Sequence, residues 1–342
     1  MPKNLITDIA GVCVGHAHDL DILTGVTAVL FDRPNVASVT VRGGAPGSRE
    51  LAILEPDATG DGADAIALTG GSAFGLDAAG GIMSVLCDRG IGVAVGTARV
   101  PIVAQAITFD LLNGGADLPK RDPLYWRLGV NAADAARKSD FDLGSVGGGT
   151  GATTATFKGG IGSTSATSPS GFTVGALAVV NAVGSTTIGD GPHFWAAPYE
   201  VGAEFGGLGL PETLSARDRA LRIKGGAPPS TTIAIVATDA VLTKSQAKRL
   251  ALMADDGLAR AVRPAHAPMD GDTVFAVGRQ AKPMADPLAN LTEIGSLAAD
   301  CLARAIARAV FEAAIPAECY SGPPAYRDRF GGGSKDGNTK RL

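Results

Sequence analysis

At 342 residues, 45 % apolar and 19 % charged, the chain can bury a large core and is neither disordered nor fibrous. A net charge of −4 and an aromatic content of 5 % leave no electrostatic footprint and no stacking platform for nucleic acid. No stretch approaches the ~20 apolar residues of a membrane span, and residues 1–8 lack the apolar run of a secretory signal.

The 47 glycines, about twice the usual share, suit a sheet-rich fold with tight loops. Val/Leu/Thr runs punctuated by Gly or Pro predict strands over 11–15, 24–32, 37–42 and 63–69. The fourth feeds Gly70-Gly71-Ser72, after which Phe74, Ala78, Ile82, Val85 and Leu86 recur at helical spacing. Ser72 is expected to cap that helix, and the two glycines to let backbone approach a ligand or another strand. A strand is expected at 91–95 and a buried segment at 107–112. A helix is expected at 123–138, with Asp122 as its cap and Pro123 at the tolerant first position.

Three further strands are predicted, at 157–160, 172–183 and 231–239. The polar, Gly-rich stretch 184–230 between the last two reads as an exposed linker. Thr243 and Gln246 form a capping box that opens a helix running to about Val262. A strand follows at 273–277, and the last long helix, at 291–314, carries an apolar stripe from Ile294 to Val310. Residues 329–342 read as a polar, flexible tail. Strands flanked by helices on both sides in sequence imply stacked sheets covered by helix layers.

Most residues with chemical potential have a plain structural reading beside the functional one. Cys13, Cys87, Cys301 and Cys319 are scattered without a CxxC pair, which implies reduced, mostly buried thiols in a cytoplasmic protein. His16, His18, His193 and His266 lack metal-ligand spacing, so no metal is expected. Gly147–Gly151 lacks the ending of a P-loop, and Ser72 lacks the flanking glycines of a nucleophile elbow; no cofactor is expected. Lys158 is either a solvated loop residue or an anion stabiliser beside a nucleophile. Asn181, inside an apolar strand, needs partners and is either a structural amide or an oxyanion donor. Asp270-Gly271-Asp272 is either a turn or a pair of carboxylates that orients an ammonium or hydroxyl.

The junction from Pro228 to Thr232 stands apart. A Gly/Pro-rich stretch, Lys224 to Pro229, leads through Ser230 to Thr231, which opens an apolar strand. A Thr hydroxyl is a poor nucleophile without an adjacent base, and its own α-amine becomes that base once the preceding peptide bond is cut. Ser230–Thr231 is therefore read as a self-cleavage site and Thr231 as the nucleophile of an amide hydrolase. Cleavage divides one compact domain into a large chain, 1–230, and a small chain, 231–342.

Several motifs resemble those of the self-processing N-terminal-nucleophile hydrolases that include β-peptidyl and D-aminopeptidases and the nylon-oligomer hydrolase. They are Asn4-Leu5-Ile6-Thr7-Asp8, Arg42-Gly43-Gly44-Ala45-Pro46-Gly47, Leu68-Thr69-Gly70-Gly71-Ser72-Ala73-Phe74-Gly75-Leu76, Val100-Pro101-Ile102-Val103, the run from Thr231 to Ala240, and Met269-Asp270-Gly271-Asp272-Thr273. The resemblance implies an α+β, αββα layered sandwich with stacked β-sheets between helix layers. It also implies a small peptide or amide substrate and a homo-oligomer such as a tetramer. It assigns catalysis to Thr231, Lys158 and Asn181, with Asp270 and Asp272 as the acidic pair, and leaves Gly70, Gly71 and Ser72 for substrate. Ser230 stands where the nylon-oligomer branch has Asn. An acyltransferase of the ornithine-acetyltransferase kind and an uncleaved binding protein of the same fold are the competing readings.

Overall fold

The computed structural model describes residues 2–118, 122–226 and 228–331. One sheet has the order β1-β2-β5-β8-β4, built from Val12–Asp19, Thr24–Phe31, Ala65–Thr69, Val103–Ile107 and Ser48–Arg49 respectively. The other has the order β3-β12-β11-β10-β9, from Val36–Val41, Thr273–Lys282, Thr231–Ala240, Thr173–Asn181 and Gly160–Thr167. Each contains one parallel pair, β5 with β8 and β11 with β12; their other pairings are antiparallel. The remaining strands, β6 (Val93–Val95) and β7 (Ala98–Val100), form an exposed ribbon.

Side-chain parity builds the layers. Successive residues of a strand face opposite sides, so Ile233, Ile235 and Ala237 pack with Val29, Phe31, Ile66 and Leu68 between the two sheets. Ala234 and Val236 face the other way, against α3 (Lys244–Ala254), α4 (Asp256–Ala261) and α5 (Pro287–Phe311). Val26, Ala28 and Ala67 pack likewise against α1 (Ala78–Asp88) and α2 (Leu124–Ala135). Burial on both faces explains why the central strands read as unbroken apolar runs. The architecture is the expected αββα sandwich. No described helix is long and apolar enough to cross a membrane.

Several local expectations need correction. The helix expected to reach Val262 breaks at Asp255 into α3 and α4, although the Thr243/Gln246 capping box forms as read. The last long helix starts at Pro287, because Asp286 accepts the N–H groups of Leu288 and Ala289. Asp122 does not cap α2; it pairs with Arg127, and Pro123 holds the cap position. Ser72 does not cap α1 either, since it lies in a 3-10 turn at φ +53° with no side-chain capping bond. Phe74, expected on the apolar helix face, is exposed in the same turn, as is Leu112 at the end of the segment expected to be buried. Strand 157–160 instead starts at Gly160.

Of the four cysteines only Cys301 is buried, because Cys13 sits on an edge strand and Cys87 and Cys319 lie at the surface. Arg329 and Phe330 belong to α6 (Tyr326–Phe330), and residues 332–342 of the expected tail lie outside the described residues. The stretch 184–230 is no simple linker, since it sends Ile188, Phe194, Ala196 and Phe205 into buried positions.

Candidate active site

The reactive end of the molecule is set by strand register. Asn181 ends β10 directly opposite Thr231, which begins β11. Both carry the parity of the residues between the sheets, so the two side chains share one face. Because β11 and β12 run parallel, the loop before β12 arrives at the same end. The crossover through α3 and α4 thereby brings Asp270, Gly271 and Asp272 against Ser230–Thr232.

The junction expected in an exposed linker is buried, with Ser230 1 % and Thr231 3 % exposed. Burial follows from pairing on both sides: Ser230 N–H donates to Met269 O at 3.0 Å, and Gly271 N–H donates to Ser230 O at 2.9 Å. Thr231 Oγ1 donates to that same Ser230 carbonyl. A Cβ on Gly271 would lie 2.9 Å from Thr231 Oγ1, so only glycine lets the loop close this tightly. The carbonyl before Thr231 thus accepts from both the Thr231 hydroxyl and a backbone N–H.

The acidic pair braces this end. Asp272 Oδ1 accepts Thr232 N–H at 2.7 Å. Asp270 accepts Val183 N–H at 3.2 Å and Ala267 N–H at 3.1 Å. Burial, reinforced by the Asp272 charge, pushes the Asp270 pKa up to about 6.

Asn181 is held through both its amide atoms. Its Oδ1 accepts Thr153 N–H at 2.9 Å and Lys224 Nζ at 3.0 Å, and its Nδ2 donates to Phe109 O at 2.9 Å. Phe109 belongs to the loop after β8, so this bond ties the two sheets together at the site.

Lys158 is buried but donates to the carbonyls of Gly149, Ala152 and Gly159 at 2.7–2.9 Å. Three acceptors use all three ammonium hydrogens, so it reaches Thr231 only through the Ala152–Thr153–Asn181 chain. Burial lowers its pKa to about 7 against the pull of Asp110.

Gly70 and Gly71 lie under the Asp110 carboxylate and the Tyr125 ring, which occupy the space a Cβ would need. Asp110 accepts Gly71 N–H at 2.7 Å, and Ser72 N–H donates to Thr108 O at 2.9 Å. The three residues therefore meet the site through the 108–110 loop.

Two contributors escaped the sequence reading. Lys224 appeared only as the start of a Gly/Pro-rich stretch, yet its ammonium holds both oxygens of Asn181, and burial lowers its pKa to about 7. Gly271 acts through backbone N–H, which no side-chain pattern reveals; a glycine between two aspartates beside a proposed nucleophile was the available signal. A cavity of about 390 Å³ adjoins the junction, lined by Phe109, Thr153, Lys224, Pro228 and Pro229 among others. Its size and mixed lining suit a small organic group.

Residues 4–319 match the family described as peptidase family S58. The chain is 42 % identical over 351 residues to an uncharacterized aminopeptidase of Mycobacterium tuberculosis, covering 96 % of this chain and 98 % of that one. It is 26 % identical over 297 residues to a 6-aminohexanoate-oligomer endohydrolase of a Kocuria species, with coverages of 80 % and 75 %. Among solved structures, it is similar to the L-aminopeptidase D-Ala-esterase/amidase of Ochrobactrum anthropi, described as a variant of the Ntn-hydrolase fold. The TM-score is 0.63 at 20 % identity, covering 92 % of this chain and 87 % of the other.

Proposed function

Because the chain belongs to peptidase family S58, we propose that it breaks its own Ser230–Thr231 bond and then hydrolyses amides through Thr231. Membership makes it a hydrolase of amide bonds, and the sandwich is of the Ntn-hydrolase type. The observation that carries the finer reading is the Ser230 carbonyl, buried between Thr231 Oγ1 and Gly271 N–H.

In the first stage Thr231 Oγ attacks the Ser230 carbonyl carbon while Gly271 N–H receives the developing oxyanion. The C–N bond breaks as the hydroxyl proton passes to the leaving nitrogen, leaving an ester to Thr231 Oγ. Water hydrolyses that ester, giving the Ser230 carboxylate and a free Thr231 amine. Burial favours self-cleavage over cutting by another protease, which needs an accessible loop.

In turnover the amine, with an ordinary pKa of about 7.7–8.0, takes the Thr231 hydroxyl proton. The substrate carbonyl occupies the place Ser230 held, so the same Gly271 N–H serves it. Asn181 stabilises the oxyanion after exchanging its bond to Phe109, Lys158 supports Asn181 from behind, and Asp270 and Asp272 hold the loop and its charge beside the amine. Gly70, Gly71 and Ser72 shape the substrate side through the 108–110 loop. Water then releases the acyl group. The substrate class is a short peptide or linear amide oligomer; a cytoplasmic homo-oligomer, with a tetramer favoured, completes the reading.

Intact-mass measurement tests it. Wild-type protein should give two chains, 1–230 and 231–342, and Thr231→Ala one inactive chain. An unbroken wild-type chain with full amidase activity overturns the reading.

A further inference from the structure

A second cluster adjoins the acidic pair, and no step above uses it. His266 adopts φ +56°, a conformation few non-glycine residues take. Its backbone N–H and its ring Nδ1 both lie 2.9 Å from Asp272 Oδ2. On the other side of the ring, Nε2 lies 3.4 Å from Asp255 Oδ2. The Asp255 and Asp272 side chains are 7 % and 2 % exposed, so neither carboxylate is solvated well enough to stand alone. Asp272 meanwhile grips Thr232 N–H with its other oxygen.

We infer that His266 is a positioning residue of the active site, an imidazolium clamped between Asp255 and Asp272 that fixes Asp272 and offsets its charge beside the Thr231 amine. The inference rests on the reading of Thr231 as a terminal nucleophile.

The geometry argues for the charged ring. A neutral imidazole brings no charge to the two flanking carboxylates, whereas the imidazolium donates to Asp272 and pairs with Asp255 through its charge. The groups facing the cluster are Arg42 from the end of β3, Asp255 and Asp256 at the α3/α4 break, and Asp270 and Asp272 from the loop before β12. The hydrogen bond the ring donates to Asp272 raises the His266 pKa, burial opposes the rise, and the fields of Asp255, Asp272 and Asp270 add to it. Arg42, 3.5 Å from Asp255, offsets only the outer carboxylate. Toward the Thr231 end Lys224 acts on Asp270, and the charge facing Asp272 is that of His266.

The consequence falls on the catalytic base. An unbalanced Asp272 one residue from the terminal amine would hold it as an ammonium, and an ammonium cannot accept the hydroxyl proton. With His266 charged, the amine is free at lower pH.

The test compares kcat/KM against pH for wild type, His266→Gln and His266→Asn, each checked for self-cleavage by intact mass. Asn tolerates positive φ and keeps a donor near the Nδ1 position without the charge. Both variants should move the acid limb up by roughly one pH unit, a loss of about tenfold on that limb. The loss should largely vanish on the alkaline plateau. A purely structural role would instead lower activity equally at every pH, and that result, or an unmoved limb, overturns the inference.

Nitrogen NMR of the wild-type His266 ring supplies a check that needs no variant: a doubly protonated ring is expected at about pH 7. A neutral tautomer there overturns the clamp. An uncleaved wild type strikes the underlying reading instead, and intact mass reveals it separately.

Discussion

The two sheets each contain one parallel strand pair, and each pair has a buried carboxylate loop at one end, yet only one of these ends sets a hydroxyl against a backbone carbonyl. Beyond β5 and β8, Asp110 is satisfied by Gly71 N–H and by Thr24 Oγ1 at 2.9 Å, with Tyr125 behind. Burial pushes its pKa up to about 6, and protein atoms fill the space above Gly70 and Gly71. Before β11 and β12, Asp270 and Asp272 are satisfied in much the same way by backbone N–H groups. Over Gly271 there lie the Ala45 carbonyl and the hydroxyl of Thr231. Buried acids with perturbed pKa values therefore do not by themselves mark this active site. The distinguishing feature is a hydroxyl and a carbonyl held together beside the glycine.

The contrast can be broken first at Asn181. Asn181→Ala removes the proposed oxyanion donor and should lower kcat by about 10²–10³, or roughly 3–4 kcal/mol, with KM changed much less. Steady-state kinetics on a small amide check this, and a kcat within a few-fold of wild type would remove Asn181 from the chemistry.

At the other pair, Gly71→Ala should act on stability. Its φ of +84° and the Tyr125 ring oppose a methyl group, so about 2–3 kcal/mol should be lost. A lowered Tm would be expected, and an unchanged one would show that the 70–72 loop can yield.

The smallest effect concerns Asp255, whose pKa burial also raises to about 6. A carboxyl that binds its proton more tightly when folded loses stability as pH rises through that window, here from about 4 to 6. Asp255→Asn should flatten this decline in Tm, and an equally steep variant would contradict it.

Much of the scaffold was legible because its signals are local. The apolar runs of β2, β10 and β11 and the stripe of α5 are written in neighbouring residues, as is the Thr243/Gln246 box. Errors arose where tertiary contacts overrode local preference. Ser72, expected to cap a helix, was drawn into a left-handed turn where its N–H donates to Thr108 O. The polar composition of 184–230 concealed the few apolar residues that anchor it, Phe194 and Phe205 among them. Thr231 stood out only because the argument about the missing base was joined to motifs along the chain, since many strands begin with threonine.

From its own order of residues, the chain determined which segments become strands and helices and where a threonine hydroxyl follows a Gly/Pro-rich stretch. Periodicity and backbone preference act over a few residues, so they can be read without a fold. Only the tertiary structure decided that Asp272 would meet Thr232 forty positions away, and that Asn181 would face Thr231. It likewise gave Lys224 and His266 their partners. Those meetings depend on sheet register and the direction of a crossover, which pairwise composition does not encode.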